Sequence, residues 1–229
     1  CGTGAVKRPL RHVHALHRTL IPVIHAIVSD LTVAAMQLRQ PDGGIGDVME
    51  QQGQYYKAPA RWLHWTVALL VFTMLPVGLL MVQEGLERSL QDRLFIFHKN
   101  VGVIVGLLVI LRLAYRLLNP PPKLPRSLPR WQKRVSAWTH GILYGLILMV
   151  PVSGYVRVRA GGFPIEMLDS MGIGTFLPRS EALAATAKTI HYYGGLALIA
   201  LIALHVGAAL YHGLIKRDGV LHRMWPTRR

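Results

Sequence analysis

Apolar residues dominate four long stretches of the chain, and among the few polar residues inside them histidine recurs. The stretches run from about Trp62 to Val82, Ile96 to Leu118, Val135 to Val156 and His191 to His212. Each reaches the roughly 20 residues an α-helix needs to cross a hydrocarbon core about 30 Å thick. Lipid offers backbone groups no hydrogen bonds, so a helix is expected in all four. The fold class predicted is all-α, an integral membrane four-helix bundle. Residues 1–48 do not share the pattern. Their one amphipathic piece, Leu20 to Leu38, carries Asp30 in its middle, which argues against a span. Pro41 to Asp47, PDGGIGD, then breaks any helix. The expected division is a poorly ordered or surface-lying tail over 1–48, whose histidines are solvated, and one four-span domain over 49–229.

The polar exceptions inside the spans follow a pattern. The fourth span holds His191, His205 and His212, fourteen and seven residues apart. Those intervals are whole helical turns to within about 40°, so the three imidazoles share one stripe. His191 and His205 lie roughly 21 Å apart along the axis, one toward each side of the bilayer. His64, His98 and His140 stand near the starts of spans one, two and three. Gly102 and Gly106 follow His98 on its own face and keep it low enough for a flat ligand or a close helix.

Charge orients the spans. Of 229 residues 52% are hydrophobic, yet the formal net charge is +15, and the basic residues gather at span ends. Lys57 and Arg61 precede the first span, the linker Asn119–Arg134 has five basic residues and no acidic one, and the tail after His212 is basic again. The loops over 83–95 and 157–188 are mixed. Basic flanks favour the cytoplasm and anionic lipid, so both termini and the second linker are expected inside, and nucleic acid is not an expected partner. The single cysteine, Cys1, excludes an intrachain disulfide, a thiolate zinc site and an iron–sulfur cluster held by this chain alone.

With this topology, depth pairs His98 with His191 on the outer side and His64 with His205 on the inner side. A single intramembrane histidine ordinarily hydrogen-bonds across helices. Two pairs matched in depth, with glycine beside them, favour low-spin haem b over zinc, which wants a third close ligand, or di-iron, which wants intramembrane Glu. No CxxCH motif offers covalent haem attachment.

Residues 49–229 resemble the bacterial di-haem cytochrome b561 family of four-helix membrane cytochromes. The resemblance is carried by RWLHW at 61–65, FHKNVG at 97–102, RLAYRLLNPPP at 112–122, HGILYGLILMVPVSGY at 140–155 and the fourth span ending LHVGAALYH at 204–212. It implies two haem b groups stacked across a bacterial cell membrane, with His64, His98, His191 and His205 as axial ligands. It implies electron transfer to or from a quinone, ubiquinone by preference, and an outer donor that includes superoxide, which makes a superoxide-to-ubiquinone oxidoreductase the expected activity. His140 and His212 are candidates for a quinone pocket beside the inner haem, or for bonds to backbone carbonyls or haem propionates. Arg112, on the stripe of His98 but at inner depth, is a candidate propionate partner or a snorkelling interfacial cation. Lys99, Arg157, Arg159 and Lys188 border the outer haem as a cationic rim suited to steering an anionic donor. Two other functions stay open: a cytochrome b membrane subunit of a hydrogenase or dehydrogenase complex, and a non-redox scaffold whose histidines only bridge helices.

Overall fold

A computed structural model describes residues 55–124 and 128–225; the tail expected over 1–48 lies outside the described residues. The chain forms α1 (Ala58–Leu80), α2 (Arg88–Leu118), α3 (Arg130–Ala160), a short α4 (Glu166–Ser170) and α5 (Glu181–Leu210). A π-helical turn, Tyr211–Lys216, prolongs α5, and a single 3₁₀ turn, Leu221–Met224, follows. Among the described residues four helices are long and apolar enough to cross a membrane, as the hydrophobic pattern predicts.

All four begin before the apolar stretches do, because polar turns outside the hydrocarbon still find helical partners. Glu87 caps α2, its carboxylate accepting the backbone N–H groups of Ser89 and Leu90. Helix therefore begins at Arg88, and His98 sits in the third turn rather than at the start. Ser180 caps α5 in the same way through Leu183 N–H. Large apolar side chains in mid-span face outward, Leu69 at 69% exposure and Leu107 at 61%, which only a hydrocarbon environment makes favourable.

The tightest helix pair is α3 with α5, followed by α1 with α2 and α2 with α3, whereas α5 makes little close backbone packing with α1 or α2. The expected histidine partners thus stand on helices that approach each other less closely than the α3–α5 pair. Between the two histidine levels lies a dry layer of Val67, Val71 and Met74 from α1 and Val105 and Val109 from α2. Ile147, Leu148 and Ile202 close it from α3 and α5.

Both ends of the described chain lie at one end of the bundle, called inner below. Trp65 Nε1 donates to the Met224 carbonyl at 2.7 Å, the Trp65 and Trp225 rings meet edge to face at 5.6 Å, and Tyr56 N–H donates to the Arg223 carbonyl at 3.2 Å. Arg223, 6% exposed, donates from Nη2 to the carbonyls of Pro122 and Lys123, each at 2.7 Å. It ties the tail to the linker between α2 and α3.

At the opposite, outer end α4 is clasped to α2 and α3. Lys99 Nζ pairs with Glu166 at 2.6 Å, Asn100 donates to the same carboxylate and accepts Met167 N–H, and Arg159 pairs with Asp169 at 2.6 Å. The Arg159 bond holds the Asp169 carboxyl below its usual range. Burial pushes the Glu166 carboxyl up, but the bonds from Lys99 and Asn100 outweigh it and the net displacement is downward.

Two outcomes follow from these fastenings. Arg223→Ala should cost about 2–4 kcal/mol, the worth of charge-assisted bonds lost in a buried setting, read as a lower thermal midpoint and faster proteolysis after residue 216. Because both clasp carboxyls titrate below their unfolded values near 4, their stabilisation is full above about that pH and fades as acid carries them through the folded values. Thermal midpoints followed below pH 4 should therefore fall more steeply in the natural protein than in Asp169→Asn.

Candidate functional site

His98 projects from α2 and His191 from α5 across the outer half of the bundle, their ring centroids 6.1 Å apart and their planes at 83°. Two imidazoles bound to opposite sides of one metal, with nitrogen–metal bonds of about 2 Å each, have centroids about 6 Å apart. Two glycines create the space. A Cβ at Gly78 would lie 2.9 Å from His98 Cε1, and one at Gly154 would lie 3.0 Å from Cε1 and Nδ1 of His191. His191 Nδ1 lies 2.9 Å from the Val150 carbonyl, so Nδ1 carries the donated proton and Nε2 keeps its lone pair. His98 Nδ1 is buried without a hydrogen-bond partner.

Both histidines line a cavity of about 1130 Å³, together with Gly102, Gly106, Gly154 and Arg157. Its size is at the upper end for ligand cavities and suits a large flat group. Gly102 and Gly106 serve both roles expected of them. They line the cavity, and they also seat Met74 and Pro151 of neighbouring helices, which a Cβ would approach to 3.7 and 3.3 Å.

The inner level gathers more groups than depth alone predicts. The His205 ring on α5 lies 5.4 Å from that of His140 on α3, with the planes at 83°. His140 Nδ1 donates to the Ser136 carbonyl one turn back at 2.6 Å, leaving its Nε2 free. Arg112 Nη1 donates to His64 Nδ1 at 2.6 Å, and its Nε donates to the Tyr144 hydroxyl at 3.2 Å, while Arg116 lies over the Tyr144 ring at 5.2 Å. An arginine always donates, so His64 accepts at Nδ1 and bears its proton on Nε2. Coordination through Nε2 needs that proton gone, so metal ligation by neutral His64 and this bond from Arg112 exclude one another.

Arg61, expected at the membrane surface, is instead 5% exposed. It shares the inward stripe of α1 with His64, Val67, Val71 and Met74, since three- and four-residue steps repeat along it. Its Nε and Nη1 are buried without partners, an arrangement that calls for an anion close by. His212 turns to the tail: its Nδ1 meets Asp218 Oδ2 at 2.6 Å, and the other Asp218 oxygen accepts Val220 N–H. The π-helical turn and the left-handed Arg217, φ 52°, fold the carboxylate back onto the ring.

The expected cationic rim divides. Lys99 and Arg159 are neutralised by Glu166 and Asp169, whereas Arg157 and Lys188 line the cavity without a hydrogen bond or ion pair to their side chains among the described residues. Sequence inspection missed Gly78, Gly154, Val150, Asp218 and the buried state of Arg61. For Arg61 a signal existed, its three-residue step to His64. For the Val150 carbonyl none did, because a backbone acceptor carries no residue signature.

No group of three or more His, Cys, Asp or Glu side chains is placed to hold a metal among the described residues. The donors come in pairs. Pairs suit a metal that already brings four equatorial ligands of its own, as haem iron does. The residues fit that group best at the outer level, where two neighbouring imidazoles from different helices, relief by glycine and a cavity coincide. At the inner level the orphaned Arg61 donors suit its anionic edge.

Residues 55–227 match the family described as prokaryotic cytochrome b561. The chain is 29% identical over 162 residues to cytochrome b561 homolog 2 of Escherichia coli, covering 70% of this chain and 86% of that protein. It is 27% identical over 170 residues to cytochrome b561 homolog 1 of the same organism, covering 73% and 95%. It is also 27% identical over 172 residues to the probable superoxide oxidase CybB of Yersinia pestis, covering 73% and 93%. Four apolar helices, paired imidazoles at one level and a match over nearly all of the described residues converge: the chain belongs to the prokaryotic cytochrome b561 family.

Proposed function

We propose that this chain passes electrons across a bacterial cell membrane through two haem b groups, from a small outer donor such as superoxide to a quinone at the inner side. Membership of the cytochrome b561 family supports transmembrane electron transfer, and the likeness to a probable superoxide oxidase supports the outer donor. The observation that carries the proposal is the outer pair, His98 and His191, brought from two helices to a ring-centroid distance of 6.1 Å on the wall of one cavity. Basic flanks on the end that holds Tyr56 and Arg223 favour that end as cytoplasmic.

When bound, haem supplies an iron that takes up and releases one electron at a time. The chain's own residues hold, orient and insulate it. His98 and His191 are the proposed outer ligands, and the Val150 carbonyl fixes the tautomer and ring orientation of His191. His64 and His205 are the proposed inner ligands. Ligation there requires Arg112 to leave His64 Nδ1, which frees a second guanidinium beside Arg61 for the carboxylates of the inner haem. The layer of Val67, Val71, Met74, Val105 and Val109 excludes water between the levels.

Quinone reduction takes up protons, and His212 is the proposed inner proton donor. Asp218 orients its ring through Nδ1. His140, beside His205, keeps a free Nε2 at the same level and lines the proposed pocket.

A reduced-minus-oxidised spectrum with haem quantitation should give two b-type haems per chain, and His191→Ala and His205→Ala should each leave one. A purified chain with no Soret band would remove the redox function and favour a scaffold, whereas copurification of a metal-cluster subunit would favour a role within a dehydrogenase complex. His212→Ala should keep both haems and slow ubiquinone reduction by about 10²-fold or more, the usual weight of a positioned proton donor. Unchanged quinone kinetics would place the acceptor elsewhere.

A further inference from the structure

Arg157 lies in the last turn of α3, three residues beyond Gly154 and therefore on the helix face against which His191 rests. It lines the same cavity as His98 and His191. It is partly buried, and among the described residues its guanidinium makes no hydrogen bond or ion pair. Its neighbour Arg159 shows the alternative on the same helix end: 7% exposed, it pairs with Asp169 at 2.6 Å and donates to the Ile173 carbonyl. Lys99, across the cavity, is likewise satisfied by Glu166 and the Pro164 carbonyl. The clasp that α4 forms thus consumes Lys99 and Arg159 and leaves two cations on the cavity wall, Lys188 and Arg157, of which Arg157 alone carries a guanidinium and shares the helix face that meets His191.

A partly buried planar guanidinium on a cavity wall, with no carboxylate paired to it, is a receptor for an oxyanion, which it meets with two parallel N–H donors. We propose that Arg157 is the anion-binding residue of the outer cavity, and that its partner is either a carboxylate of the outer haem or the small anionic donor itself. The assignment rests on the outer haem site proposed above. In the first case Arg157 anchors the haem edge and raises the outer reduction potential, because a nearby cation favours the form that has gained an electron. In the second case it draws superoxide to the site; superoxide gives one electron to the outer haem and departs as O₂, no proton moving, and the neutral product loses its hold on the guanidinium.

The test uses the full chain, purified with its haems, as Arg157→Gln and Arg157→Lys. Titrated without donor, Arg157→Gln should lower the midpoint potential of the outer haem and leave the inner one unmoved if a haem carboxylate is the partner. If the free anion is the partner, the potential should move little, while reduction by superoxide should slow roughly tenfold at low salt and lose its ionic-strength dependence, reduction by a neutral quinol staying the same. Arg157→Lys, which keeps the charge but loses the fork, should recover part of either effect and serves in place of the glutamine variant should that fail to fold. A role confined to the helix terminus would change thermal stability alone. Should potential and anion-selective rate both match the natural protein while haem content is intact, Arg157 is not the anion site. A natural protein lacking the outer haem would instead overturn the function on which the assignment rests.

Discussion

An imidazole placed in hydrocarbon must find a partner for each of its two nitrogens, since an unsatisfied polar group there costs several kcal/mol. Much of this molecule is arranged around that requirement. His191 satisfies Nδ1 on the Val150 carbonyl, His140 on its own helix at Ser136, His64 on Arg112 and His212 on Asp218. The backbone gives way to the rings: glycine stands where a methyl group would strike His98 or His191, and α5 keeps its close backbone packing for α3 rather than for α1 or α2.

That spacing separates two jobs. Stability comes from the α3–α5 pair, from the apolar layer between the histidine levels and from fastenings at each end of the bundle. The inner fastening is Arg223 with Trp65 and Trp225; the outer one is α4 with its two ion pairs. Neither relies on close backbone packing between the helices that carry the proposed ligand pairs. The two levels differ in their chemistry. The outer pair meets edge to face with ring centroids 6.1 Å apart, whereas inner His64 is engaged by an arginine that a ligand must displace, with Arg61 already buried and unpartnered one turn before it.

The outer surface shows how local charge can mislead when read along the chain. Four basic residues border the outer cavity in sequence, but two are spent on Glu166 and Asp169 of α4, a helix of five residues too short to announce itself by periodicity. The net field at the cavity mouth is set by what α4 leaves over. At the inner end Asp218 lies six residues from His212, and only the π-helical turn brings the two together.

The four spans, their helical nature and the matching depths of His98 with His191 were determined by the sequence alone, because hydrocarbon thickness and helical rise leave a run of apolar residues few other options. The family was also legible there, in short motifs around the histidines. Helix ends were not: caps such as Glu87 and Ser180 act by hydrogen bonds that carry helix well past the apolar run. Tertiary structure alone decided that Arg61 is buried, that Arg112 engages His64, that His140 joins His205, and that Arg157 keeps a free charge where Lys99 and Arg159 do not. Each of these depends on which side chains from distant segments reach one point in space. One-dimensional periodicity fixes the face and depth of a residue, but not its neighbour.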